Sequence, residues 1–123
     1  MSRLPILRGS ACALDWASGS SGRFLGKDYY DNLNDGERAK FYALFERLAR
    51  DGRIHEKTRF RKETDNVFGF KSDKHRLFCF FDDGTWFLVL GFKKKSNKDK
   101  KLTRALQSSE RIRFEYLDGQ TGD

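Results

Sequence analysis

His75-Arg76-Leu77-Phe78-Cys79-Phe80-Phe81-Asp82-Asp83-Gly84-Thr85-Trp86-Phe87-Leu88-Val89-Leu90-Gly91-Phe92 is the stretch on which the fold turns. Two runs rich in aromatic and branched residues, His75 to Phe81 and Thr85 to Phe92, flank Asp82-Asp83-Gly84-Thr85. Asp-Gly between apolar runs is the strongest short-range signal of a β-hairpin. In the first run Leu77, Cys79 and Phe81 face one way and Phe78 and Phe80 the other. A strand apolar on both faces is expected inside a sheet. His75 and Arg76 depart from that pattern. They place a titratable group and a fixed cation at the mouth of the strand, on opposite faces.

Upstream, Val67 to Phe70 reads as a third strand, while residues 53 to 65 carry no helical stripe and read as a loop or edge segment. Before them lies the plainest helix signal in the chain. Asn34 followed by Glu37 makes a capping box, Phe41, Leu44, Phe45 and Leu48 recur at helical spacing, and Gly52 supplies the stop. Its other face, with Arg38, Lys40, Glu46, Arg47 and Arg50, reads as solvated surface. Residues 24 to 33 predict a shorter helix, with Phe24 and Leu25 stacking over Tyr29 and Leu33. Residues 11 to 16 alternate weakly and predict a first strand. The loop Ala17 to Gly22 is rich in Gly and Ser but lacks the Lys-Ser/Thr ending of a phosphate-binding loop, so it reads as a connector. Residues 1 to 10 are expected to be a flexible N-terminal extension. Downstream, residues 98 to 116 predict a closing helix with Leu102, Ala105, Leu106, Ser109, Ile112 and Tyr116 along one stripe. Segregated helices and an antiparallel meander give an α+β fold, with residues 1–123 as one domain.

Composition narrows the function classes. Among 123 residues, Lys+Arg 25 against Asp+Glu 18 gives a formal charge of +7, while twelve Phe, four Tyr and two Trp supply a core that a disordered basic chain lacks. The longest apolar stretch, Trp86 to Phe92, falls far short of the ~20 residues needed to cross a bilayer. The Leu4-Pro5-Ile6-Leu7 patch is too short for a signal peptide. A cytoplasmic protein with no membrane partner is expected, and Cys12 and Cys79 are read as two reduced thiols rather than a bridge.

The charge is not diffuse. From Phe92 to Arg104 seven basic residues face one Asp, and residues 53 to 76 hold eight basic against four acidic, so the rest of the chain is negative. If the sheet follows the meander, both segments meet at one end of it, together with His55 and His75. Lysines before and within the first turn of a helix oppose its partial positive charge, and a bound anion would offset that. A phosphate-bearing polyanion is the expected partner. The histidines and cysteines have no metal-ligand spacing and no carboxylate cluster suits Mg²⁺, so no metal and no cofactor are expected. Metal-free RNA cleavage stays open. It needs a base for the 2′-OH, an acid for the leaving 5′ oxygen and cations for the phosphorane, all available from His, Lys, Arg and Tyr.

Four blocks carry a family resemblance: Gly22 to Leu33, Ala39 to Gly52, His75-Arg76-Leu77-Phe78-Cys79-Phe80, and Leu90-Gly91-Phe92-Lys93-Lys94-Lys95. From Leu14 to about Ala105 the chain resembles the phage-derived HigB-like toxins of the RelE/ParE superfamily, found in type II toxin-antitoxin modules. The resemblance implies a RelE-like fold, two N-terminal helices packed on a small antiparallel sheet with a C-terminal helix. It also implies a toxin that cleaves mRNA in the ribosomal A site until an antitoxin, expected to be of helix-turn-helix type, binds it. Operator DNA would be reached only through that antitoxin. Arg76 falls on the strand arginine that contacts the scissile phosphate, and Lys93 and Lys94 on the basic pair that binds substrate phosphate. Lys57, Arg59, Arg61 and Lys62 occupy the basic loop before the sheet.

On this reading the catalytic candidates are Arg76, His75, Lys57 and Lys94, and the RNA-binding candidates Arg59, Arg61, Lys62, Lys71, Lys93, Lys95 and Lys98. The chain departs from the family pattern at Gly69-Phe70-Lys71, where an acidic-Leu-Arg sequence is usual. It also has no clear counterpart of the terminal catalytic Tyr, since Tyr116 lies in a helix stripe. A ParE-like gyrase inhibitor and a non-catalytic nucleic-acid-binding module remain the alternatives.

Overall fold

The computed structural model describes residues 2–95 and 100–121. The elements are β1 (Arg3–Arg8), β2 (Ala13–Ala17), α1 (Leu25–Asp31), α2 (Asp35–Asp51), β3 (Phe60–Lys62), β4 (Phe68–Ser72), β5 (His75–Asp82), β6 (Thr85–Lys93) and α3 (Lys100–Thr121). The strands form one six-stranded sheet in the order β1-β2-β6-β5-β4-β3.

This corrects the expected architecture of two N-terminal helices on a small antiparallel sheet. Strands come first, and the sheet is mixed, because β2 pairs with β6 in parallel (Leu14 opposite Trp86, Trp16 opposite Leu88). The flexible extension expected over residues 1 to 10 is also overturned: Arg3–Arg8 pairs antiparallel with β2 as the sheet's outer strand. Pro5 hides that strand in the sequence, since proline donates nothing to a ladder and is tolerated only at an edge such as this one.

Several local expectations hold. Asn34 caps α2 reciprocally with Glu37, and Gly52 closes it in the left-handed conformation at φ 79°. Asp83 and Gly84, at φ 47° and 78°, make the tight turn of the β5–β6 hairpin. β5 lies between β4 and β6, as its two apolar faces require. The closing helix runs through Thr121, and the expected start at residues 98 and 99 lies outside the described residues. Cys12 and Cys79 are both free thiols.

The sheet is covered on both faces. One carries Leu14, Phe70, Leu77, Cys79 and Leu88 against Phe41, Phe45 and Leu48 of α2. The other carries Phe80, Phe87 and Val89 against Ile112 and Tyr116 of α3, and Val67 and Phe78 against Ala105. Tyr116 is 1% exposed, so it packs as the stripe reading expects.

One irregularity decides what the open end of the sheet presents. Cys79 pairs with Leu88 but Phe78 pairs with Leu90, so Val89 is an extra residue in β6. A bulge of this kind inverts the facing of everything beyond it. Trp86 and Leu88 point to the α2 side, whereas Leu90 and Phe92 pack on the α3 side. Gly91 then lies under Tyr29 of α1, where a Cβ would sit 2.1 Å from the ring's Cγ. Only glycine lets that ring lie across the strand.

Candidate functional site

Beyond the bulge, the last pairs of the hairpin are Arg76 with Phe92 and His75 with Lys93, and on the other side Arg76 pairs with Lys71 and His75 with Ser72. Side chains alternate along a strand, so Arg76 and Lys71 share the α3 side while His75 and Lys93 share the α1/α2 side. Arg61 of β3 pairs with Gly69, two residues before Lys71, and so joins Arg76 and Lys71 on their face.

Arg76 is half-buried, and its Nη1 donates to the carbonyls of Asp73 at 2.8 Å and of His75 at 2.9 Å. These two bonds fix the guanidinium over the Ser72–His75 turn. Burial holds the Arg76 pKa below its ordinary value, with Glu63 opposing the shift and Arg61 adding to it. Burial likewise lowers the Lys71 ammonium, followed by repulsion from Arg76 and Arg61, with Lys94 contributing too. Lys71 therefore lies in a positive field to which Arg76, Arg61 and Lys94 all contribute. Glu63, whose side chain is 8% exposed, is the carboxylate that tempers it, and it holds Arg61 Nε at 3.2 Å. Lys94 is tied in through its backbone, its N–H donating to the Lys74 carbonyl at 2.7 Å.

The opposite face is built differently. His75 Nε2 lies 2.8 Å from Glu37 Oε2 and its Nδ1 lies 2.6 Å from Tyr29 Oη. With the Glu37 carboxylate accepting from Nε2–H, Nδ1 accepts the Tyr29 hydroxyl proton. The Glu37 carboxyl is held below its ordinary range, first by the Asn34 backbone N–H of the capping box and then by His75. Burial raises the Tyr29 hydroxyl, Glu37 raises it further, and Arg76 opposes both. Both ring nitrogens of His75 are thus engaged within the protein, which makes it a brace between α1, α2 and the start of β5.

The candidates do not all gather at this end. Lys93 and Lys95 are exposed beside it, at the exit of β6, and Lys98 lies outside the described residues. Lys57 and Lys62 instead border a cavity with His55, Phe68 and Trp86. Lys62 pairs with Phe68, which pairs with Cys79, three positions along β5 from Arg76 and on the α2 face. Arg59 borders a separate hollow with Lys40, Leu44 and Asp73 on the α2 side. Only one of the two histidines, His75, is at the open end. Tyr29 and Glu37 are site residues that reading the sequence assigned elsewhere, to a helix stripe and to a capping box. Both assignments hold, and the second role of each arises only when β5 is laid against the two helices.

A half-buried lysine with a depressed pKa beside two guanidinium groups can bind a phosphate and exchange a proton with its oxygens. Among the described residues no group of three His, Cys, Asp or Glu side chains could hold a metal ion, and no helix is long and apolar enough to cross a membrane. Residues 28–110 match the model of a family described as Phage derived protein Gp49-like (DUF891). That span runs from α1 into α3 and includes Tyr29, Glu37 and the whole cationic group. A comparison with curated proteins gives no match.

Proposed function

Because the chain belongs to the phage-derived Gp49-like family, which is related to the toxins of toxin-antitoxin systems, we propose that it is the toxin of a type II module and acts as a ribosome-dependent mRNA endoribonuclease. The observation that carries this reading is the field of Arg61, Lys71, Arg76 and Lys94 at the open end of the sheet. The 2′-OH of one nucleotide attacks the adjacent phosphate, the P–O5′ bond breaks, and the products are a 2′,3′-cyclic phosphate and a free 5′-OH. Arg76, fixed by two carbonyls, stabilises the negative charge of the phosphorane. Lys71, its pKa depressed, is the residue of this face best suited to move the proton. Lys93, Lys94 and Lys95 hold the message backbone, and His75 acts through position by fixing the strand on which Arg76 sits. Lys57 takes no part in the chemical step, since its cavity opens on the other face.

The cognate antitoxin is a second proposed partner, and acidic groups over the cationic end would neutralise it. Expression of wild type and Arg76→Ala in growing cells, with primer extension on a translated message and a gyrase supercoiling assay on the purified chain, tests the proposal. Wild type should cut message and leave supercoiling untouched, while Arg76→Ala, still folded, should cut no message and likewise leave supercoiling untouched. Inhibited supercoiling without message cleavage would favour a ParE-like gyrase inhibitor instead.

A further inference from the structure

A cavity of about 360 Å³ opens on the α2 side of the sheet beside the edge strand β3. Its floor is aromatic: the rings of Phe60 and Phe68 stack with centroids 5.6 Å apart and planes 14° apart, and Trp86 stands edge-on to both at 5.2 and 5.1 Å. Its rim is cationic, with Arg53, Lys57, Arg61 and Lys62, and no carboxylate is among the lining residues. Three smaller or shallower hollows elsewhere differ in this respect, since each includes an acid: Asp73, Glu115 or Glu110. An apolar, aromatic floor under a rim whose charged lining residues are all basic fits a ligand that is itself aromatic and anionic.

Position narrows the ligand further. Arg61 belongs both to this rim and to the field around Arg76 and Lys71. From the registers Arg61–Gly69 and Lys71–Arg76, Arg61 and Arg76 are two strands apart and two residues offset, or about 12 Å at ordinary sheet spacings. A polyanion lying on Arg76 that continues past Arg61 rounds the short β3 edge and reaches this cavity.

We infer that the cavity is a nucleotide subsite, seating the base of one nucleotide of a single-stranded RNA on the Phe60–Phe68–Trp86 floor while Arg53, Lys57 and Lys62 hold its phosphate. The inference deepens the proposed function and takes its substrate class from it. It also gives a role to Lys57 and Lys62, which border this cavity rather than the face that carries Arg76. An acidic peptide is the competing occupant. It would satisfy the rim, but nothing about a peptide links the cavity to the Arg76 face.

The test is a titration of the full chain with a short single-stranded oligoribonucleotide, read at the indole N–H resonance of Trp86, one of two tryptophans in the chain. Wild type should show that resonance moving as RNA binds. Lys57→Gln with Lys62→Gln, both exposed lysines, should bind about tenfold more weakly and lose about 1.4 from the salt slope of binding to a single strand. RNA that binds without moving Trp86, or a double variant with unchanged affinity and slope, overturns the subsite. So does an acidic peptide that moves the resonance when RNA does not. Ribosome-bound message cleaved with Trp86 unmoved removes the subsite and leaves the proposed function standing. Trp86 moved by RNA with no cleavage on ribosomes does the reverse.

Discussion

The two faces of the sheet meet the same open end with opposite electrostatic solutions. On the α1/α2 face the titratable groups satisfy one another, Glu37 to His75 to Tyr29, within 2.8 and 2.6 Å. On the α3 face cations are set against cations, and burial together with that repulsion depresses both Lys71 and Arg76. A satisfied network stabilises the fold where it stands. One tempered only by Glu63 keeps an excess of positive charge that a bound anion would offset, which makes this face the candidate site. One strand supplies both, since consecutive residues His75 and Arg76 point to opposite faces, and the bulge at Val89 brings Lys93 to the first and Phe92 to the second.

Breaking the cationic face should have the largest effect. Arg76→Ala is expected to lower message cleavage at least ~100-fold, the loss typical when a preorganised stabiliser of transition-state charge is removed. Circular dichroism should show the variant folded. Next is the support under the satisfied face. Gly91→Ala drives a Cβ into the Tyr29 ring and is expected to cost about 2 kcal/mol in denaturant unfolding. Tyr29→Phe removes the hydroxyl that His75 Nδ1 accepts from, for about 1 kcal/mol, and should change cleavage far less than Arg76→Ala.

Acid titration sharpens the same contrast. The Glu37 carboxyl is depressed below its ordinary 4.5 in the folded state, so its contribution is present above that value and is lost as pH falls through the folded pKa. Glu37→Gln should flatten the acid limb of the stability curve, and an unchanged limb would show that the brace carries no charge. Lys71 gives the smallest effect and the opposite sign. Its folded pKa lies below the ordinary 10.5, so the folded state is penalised while Lys71 is charged, and stability rises with pH between the two values. Lys71→Gln should therefore raise stability at neutral pH, by only about 0.5 kcal/mol because solvent still screens the half-buried ammonium, while weakening RNA binding.

Much of the fold is written in local patterns. Asn34 and Glu37 announce the start of α2, Asp83-Gly84 announces the hairpin, and the two-sided apolar run of β5 announces its central place. What stayed hidden is non-local. The parallel pairing of Ala13–Ala17 with β6 closes over two helices and three strands, and no short-range signal specifies it. β1 was masked by Pro5. The clustering of charge in the sequence implied that Arg76, Lys93 and Lys94 meet at one end of the sheet, and the register brings them there. It could not separate Lys57 and Lys62 from them, because which face an edge residue serves depends on register. The brace around His75 was invisible for a related reason, since Tyr29, Glu37 and His75 are joined only by packing.

In the proposed function Arg76 and Lys71 act on message held by a ribosome. Mapping the 5′ ends of cellular message after induction tests it most directly, with Arg76→Ala induced to the same level alongside. New ends at a fixed phase within translated codons, present for wild type and absent for the variant, are the predicted result. A map without new ends while growth stops, or with the same ends in the variant, would contradict it.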